Sequence, residues 1–403
     1  MPETSASVSC DAVIIGAGIV GSLTAWNLSR MGFKVAVVES QDPASGATGA
    51  CNGGLSYTGK PSALLEPALE SLSIYKSLEK ALNFDLECDQ KRGLVLLAER
   101  EEDVPPMLEM VAEYKKMGLK SEFVPGSRIR DLVPVESDLL GGVTSHDGLE
   151  GLVNPFRVVY GCLKRTIEDG GRLYTKTQVT AVELQGGSVS GVVCEGEGPA
   201  TIRSPLVVDC SGVAAGNLER PFGLHFPIAP CKGIVLVTEE TSLRLHKNIM
   251  TRSLFSDSAG GIASTGNTAN TALYREYSVA LEQTANSNIL IGSSRDFSDP
   301  QSGWRVDAEV VKAIARNARR YVSGLKNLNI IRTFTGLRPY TPDGLPVIGE
   351  TGIPGLLVAS GLGGYGITLG PWVARVISDM ASGGRVRWGN PVVERAVSPL
   401  RFH

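Results

Sequence analysis

Apolar residues in this chain come in short dense runs separated by glycine-rich turns, and the first run sets the pattern. Residues 12–15 (AVII) are continuously apolar and mostly β-branched, as in a strand buried on both faces. Residues 19–31 then read as a helix that closes on Gly32, where a C-cap glycine is expected. Residues 34–38 form a second apolar strand ending on the acid Glu39. The three together predict a βαβ unit.

Further along, helical spacing returns at 67–83, apolar at Leu69, Leu72, Tyr75, Leu78 and Leu82, and again at 104–117. Residues 93–98 lie between them as a strand. This section does not repeat the βαβ rhythm, so it predicts a second domain. A helix over 154–169 starts with Pro155 at its first position, a favourable place for proline. Strands follow at 172–182, 189–194 and 206–209, the last leading into the flexible CSG of Cys210, Ser211 and Gly212, as if the first domain resumed. Residues 228–239 and 287–293 are strand-like, and the turn-rich, then alternating stretch between them predicts an antiparallel sheet. A helix over 306–321 carries Arg316, Arg319 and Arg320 near its end, where they complement the helix dipole. Finally, 355–378 runs from a strand through the glycine loop 361–366 into a helix.

The predicted fold class is therefore α/β, a Rossmann-type domain interleaved with an α+β domain built on an antiparallel sheet. The expected segments are 1–85, 151–225 and 333–403 for the first domain, with 86–150 and 226–332 for the second. A length of 403 residues suits about two domains.

Composition narrows the function. A net charge of −3 without a Lys/Arg cluster gives no nucleic-acid footprint. No run of 18 apolar residues exists, so no conventional membrane span is expected. The first ten residues have neither a charged nor an apolar signal region. Seven scattered cysteines without a C-x-x-C pair argue against structural zinc and for a reducing, cytoplasmic setting. The four histidines (146, 225, 246, 403) form no metal or triad pattern, and no metal is expected.

Candidate chemistry begins with Gly16, Gly18 and Gly21, spaced G-x-G-x-x-G between the first strand and its helix. Gly16 allows the tight turn, Gly18 the approach of a pyrophosphate, and Gly21 close packing of helix on strand. The helix N-terminus offers unpaired N–H groups to phosphate, and Glu39 is placed to hold a ribose. The segment from Ser40 through SGATGACNGG (45–54) is rich in small residues and can lie flat against a bulky ligand.

With these stretches in view, the chain resembles the FAD-dependent D-amino-acid oxidase superfamily, which includes glycine and sarcosine oxidases and proline or hydroxyproline dehydrogenase β-subunits. The resemblance covers nearly the whole length. It is carried by residues 13–39, 45–54, GLVNPFRVV (151–159), VVDCSG (207–212), CKGIVLVTE (231–239), LEQTANSNILIGSSRDF (281–297), GLRPYTPDGLPVIG (336–349) and GLLVASGLGGYGITLGP (355–371). It implies non-covalent FAD held by Gly16, Gly18, Ile19, Val20, Gly21, Glu39, Ser40, Ser45, Ala47, Thr48, Asn52, Gly53, Val179, Ser211, Gly212, Gly336, Arg338, Gly363, Gly364, Gly366, Ile367 and Thr368. It also implies that Arg338, in its G-x-R-P context, binds a substrate carboxylate, with Tyr340 and Tyr365 flanking it. The competing reading of Arg338 pairs it with Asp343 in a structural turn. Tyr274 and Tyr277 are weaker substrate candidates. No cysteine lies beyond Cys231, so a late cysteinyl flavin link is unavailable, and Cys51 reads as a small buried thiol.

The implied activity is oxidation of an amino acid or secondary amine at its α-carbon, with oxygen or a quinone-type carrier as acceptor. Alternatives are a flavin subunit of a larger hetero-oligomeric dehydrogenase, an FAD-dependent hydroxy-acid dehydrogenase, and NAD binding without flavin.

Overall fold

A computed structural model of the chain describes residues 8–136, 138–251, 275–297 and 305–402. Its centre is a six-stranded sheet in the order Val347–Glu350, Leu356–Ser360, Val207–Asp209, Ala12–Ile15, Val35–Val38, Arg172–Tyr174. All neighbours are parallel except the edge pair Val347–Glu350 and Leu356–Ser360. Ala12–Ile15 is buried at every position because helices cover one face and a four-stranded sheet covers the other. Helix Ile19–Arg30 packs on the sheet with Pro155–Glu168 and Gly366–Ala381 beside it. Gly21 is needed there: a Cβ on it would stand 2.0 Å from the Gly16 carbonyl oxygen.

The second layer is an eight-stranded sheet whose order is Ile330–Tyr340, Ala229–Glu240, Asn288–Asp296, Arg275–Gln283, Asn248–Thr251, Leu94–Ala98, Gly141–Ser145, Ser121–Pro125. It is antiparallel except where Asn248–Thr251 meets Leu94–Ala98. Helix Ala308–Tyr321 buries Val310, Ile314, Ala318 and Tyr321 against Ile234, Leu236, Val279, Leu281, Ile289 and Ile291 of this sheet. Alternation along the strands then sends Gly233, Ala280 and Glu282 to the opposite face.

Three expectations change. The strand expected over 172–182 is two strands, Arg172–Tyr174 in the central sheet and Thr177–Gln185 in the four-stranded one. The chain switches sheets at Lys176, whose φ is +49° and whose N–H donates to the Gln41 carbonyl. Helix Ser62–Leu82 starts five residues before the expected 67, with Pro67 inside it. The boundary expected between 332 and 333 cuts through Ile330–Tyr340, which pairs with Ala229–Glu240 from Tyr340↔Ala229 to Ile330↔Thr238. That strand brings Arg338 in on the antiparallel sheet. Among the described residues, no helix is long and apolar enough to cross a membrane.

Candidate active site

The carboxyl ends of Ala12–Ile15 and Val207–Asp209 open a crevice where the strand order reverses direction, the place where open α/β sheets bind ligands. A cavity of about 960 Å³ starts there and runs to the antiparallel sheet. One end is lined by Gly16, Gly18, Ile19, Val20, Glu39, Ser40 and Val179, and the other by Gly336, Arg338, Gly363, Gly364, Gly366 and Ile367. Ser45, Ala47, Thr48, Ser211 and Gly212 line it between.

Two helix N-termini meet this space. Ile19–Arg30 begins at Gly18 and Gly366–Ala381 at Tyr365, and neither has a side-chain cap. Their first-turn amides are free to face an anion, apart from the Ile19 N–H, which donates to Thr48 Oγ1 at 3.0 Å. Gly16 sits at φ +96°, and a Cβ would lie 2.7 Å from the Cys210 carbonyl oxygen. A Cβ on Gly212 would meet nothing within 4 Å, so the backbone there borders open space. Glu39 Oε2 accepts from the Ala17 N–H and Oε1 from the Gln41 N–H, both at 2.8 Å. These bonds fix the carboxylate at the mouth of the crevice. A long ligand with a central pyrophosphate, a ribose at one end and a flat, anion-bearing ring at the other fits this set of groups.

Arg338 stands half-buried with its guanidinium over Gly233, where a Cβ would come within 2.2 Å of Nη1. Nη1 donates to the Ser294 carbonyl at 3.0 Å. Asp343, the alternative partner, is taken by Arg401, whose Nε donates to Oδ2 at 2.8 Å. Tyr340 lies beside the cavity rather than in its lining, its ring against Gly363 and edge-on to Phe297 at 5.6 Å. Tyr365 also lies outside the lining, buried, with Lys60 Nζ 4.7 Å above its ring. Lys60 Nζ donates to Ser56 Oγ at 3.1 Å, and loss of hydration pulls this lysine down to about 8 against the opposing Glu150 charge. Thr368 Oγ1 accepts from the Ser56 N–H and donates to the Gly54 carbonyl, tying the small-residue loop to the last helix. Gly53, at φ +85°, packs its α-carbon on the Val153 carbonyl. Tyr274 lies outside the described residues, as does the side chain of Tyr277.

Asn52 turns away from the cavity lining and donates through Nδ2 to Glu282 Oε2. Glu282 is 1% exposed and was not singled out from the sequence. Burial pushes its carboxyl up to about 7, opposed by the Asn52 amide and by Arg92. Its signal in the sequence is only the alternation of SVALEQ, which looks like any half-exposed strand.

The FAD dependent oxidoreductase (DAO) family model matches residues 11–380. The chain belongs to that family. FAD is thus the long ligand that the cavity fits, and the enzyme is an oxidoreductase. Among curated relatives, the hydrogen cyanide synthase subunit HcnC of Pseudomonas aeruginosa is 26% identical over 401 residues, covering 87% of each chain. Glycine oxidase of Bacillus licheniformis is 27% identical over 388 residues, covering 94% of each. The solved structure of L-proline dehydrogenase from P. horikoshii superposes with a TM-score of 0.83 at 21% identity over 98% of each chain, a likeness of fold.

Proposed function

We propose that this flavoenzyme oxidises the α-carbon of an amino acid or secondary amine, the latter an imino acid or N-alkyl amino acid, to an imine that water then hydrolyses. The observation that carries this reading is Arg338, a guanidinium lining the cavity with no carboxylate partner among the described residues. Its planar fork matches two carboxylate oxygens, which a lysine cannot do. FAD bound here supplies the acceptor for the hydride that leaves the α-carbon. Around it, Gly16, Gly18 and the amides of Ile19–Arg30 hold the pyrophosphate, and Glu39 the ribose. The uncapped N-terminus of Gly366–Ala381 favours negative charge at the ring end. Arg338 fixes the substrate so that its α-hydrogen faces the ring. Glycine oxidase and L-proline dehydrogenase, by name, act on substrates of this class, which supports the reading.

Anaerobic mixing of the yellow protein with L- and D-amino acids, N-methyl amino acids, imino acids and hydroxy acids tests it. Bleaching by amino or imino acids is the expected result, and bleaching by hydroxy acids alone overturns it. Reoxidation by air or by a quinone dye then identifies the acceptor.

A second reading makes this chain the flavin subunit of a larger complex, in keeping with HcnC being named a subunit. Phe156, Tyr160 and Ile167 leave an exposed apolar stripe on one helix, which favours it. Size exclusion of the native protein with an iron assay separates a lone chain from a complex. Seven free cysteines accord with a reducing cytoplasm as its setting.

A further inference from the structure

A second cavity, of about 460 Å³, opens beside the turn that joins Arg275–Gln283 to Asn288–Asp296. Three separate stretches form its walls: Asp89, Lys91 and Arg92 ahead of Leu94–Ala98, Arg244 and His246 after Ala229–Glu240, and Gln283, Thr284 and Ser287 of the turn. None of these residues borders the FAD cavity. Asn288 lies six residues before Ser294, whose carbonyl takes the Arg338 hydrogen, so about 20 Å of strand separates the turn from that contact. The buried Gln283 amide holds the walls together. Its Oε1 accepts from the Leu245 N–H at 3.0 Å, and its Nε2 donates to the Leu243 and Ser287 carbonyls at 2.8 and 3.3 Å.

Lys91, Arg92 and Arg244 against Asp89 give this cavity a positive balance. Asp89 is already engaged, Oδ1 accepting from the Lys91 N–H and Oδ2 from Arg92 Nε. The two guanidiniums are anchored rather than free to swing: Arg92 Nη1 donates to the Gln283 carbonyl at 2.7 Å, and Arg244 Nη1 to Ser287 Oγ at 2.6 Å. Arg92 has a side-chain exposure of 18%, so water screens its charge less than that of an ordinary surface arginine. Arg92 Nη2, Arg244 Nη2 and Lys91 Nζ have no partner among the described residues. Thr284 Oγ1, in the same wall, is buried and also without one. Cationic donors that converge from separate segments suit the tetrahedral oxygens of a phosphoryl group better than the two coplanar oxygens of a carboxylate.

We propose that the cavity between Arg92, Arg244 and Lys91 binds the phosphoryl group of a small molecule, free orthophosphate or a phosphate monoester, at a site separate from FAD. Arg92 and Arg244 supply the fixed charges, and Lys91 closes over the anion from the exposed side.

Calorimetry on the FAD-loaded protein tests this with orthophosphate, glycerol 2-phosphate and succinate, each measured against sodium chloride of equal ionic strength. Wild type is expected to bind at least one of the two phosphates at one site per chain, and the tighter of them tells a free anion from a monoester. The double variant Lys91→Gln/Arg244→Gln is expected to weaken that binding by about tenfold or more. The flavin spectrum and a melting curve report that the variant is folded. Should the double variant lose its flavin, Lys91→Gln alone replaces it, with an expected weakening of about threefold. Phosphate bound as tightly by the folded variant as by wild type lies elsewhere on the protein, which overturns the proposal. So does the absence of binding by either phosphate up to about 10 mM. Succinate that binds more tightly than both phosphates, and loses that affinity in the variant, overturns the phosphoryl assignment.

Discussion

Arg401 donates to both oxygens of Asp343, through Nε at 2.8 Å and Nη2 at 3.2 Å. This pair fixes the turn after the Ile330–Tyr340 strand to the C-terminal segment and leaves Arg338, five residues earlier, to the cavity. The two arginines should therefore fail in different ways. Arg338→Ala is expected to raise KM for carboxylate substrates by about 10- to 150-fold, the loss of a charged hydrogen-bonded contact of about 1.5–3 kcal/mol. Arg401→Ala is expected to lower Tm and leave KM alone. Steady-state kinetics beside a melting curve checks both, and an unchanged KM in Arg338→Ala across the substrate panel would sink the carboxylate assignment.

The glycine turn makes a prediction about cofactor retention. Gly16 combines φ +96° with a Cβ position 2.7 Å from a backbone oxygen, and no side-chain movement can relieve that. Gly16→Ala should cost about 1–3 kcal/mol of local strain and displace the turn proposed to hold the pyrophosphate. The ratio of flavin to protein absorbance after purification should fall well below wild type. Gly32→Ala is the control, because its Cβ would meet nothing within 4 Å although φ is also positive, at +90°. It should lose stability and keep FAD.

Much of this was legible in the sequence because it is local. The run of residues 12–15 follows from its own apolar character, and the neighbouring glycines and Glu39 follow from their spacing; Gly16, Gly18 and Glu39 border the cavity, while Gly21 packs on Gly16. Arg338 was legible through its flanking residues, but its freedom from Asp343 depended on Arg401, 58 residues from that acid. The break at Lys176 was illegible because residues 172–182 hold no glycine or proline to mark a turn, and the turn is fixed by bonds to Glu39 and Gln41. Glu282 was illegible for the same kind of reason. Only sheet pairing and a contact 230 residues away in sequence bring Asn52 to its carboxyl.

Cys51 lines the cavity but is poorly placed for chemistry. Burial, with the Glu282 charge adding to it, pushes its thiol up to about 12, and Sγ donates to the Thr48 carbonyl at 3.0 Å. A thiol held neutral is a weak nucleophile. Native protein should leave Cys51 unlabelled by a thiol reagent at pH 7.5, and acid precipitation should release all the flavin into the supernatant. Cys51→Ser should retain bound FAD. Flavin that stays with the precipitate would contradict this.

The last prediction concerns pH and the loop that borders the cavity after Val207–Asp209. Asp209 and Glu219 are both fully buried; Oδ1 of the first accepts from the Ser211 N–H at 2.8 Å and Oε2 of the second from the Gly216 N–H at 3.0 Å. Their other oxygens face each other, with the Ser211 hydroxyl beside Asp209, and one proton shared between them satisfies both. Burial, and then the Asp209 charge, push Glu219 up to about 9. An acid raised on folding is protonated in the folded chain and ionised in the unfolded one across the window between. Its stabilising contribution is complete below the ordinary glutamate range of about 4.3, falls as pH climbs, and is gone above about 9. Because Ser211, Gly212 and Asn217 of this loop line the cavity, the loss should appear as easier flavin release. The temperature at which flavin fluorescence appears should therefore fall from pH 5 to pH 9 in wild type. Glu219→Gln keeps a donor for Asp209 and cannot ionise, so its release temperature should change less over that range. Parallel slopes for the two proteins would show that this pair does not govern the loop.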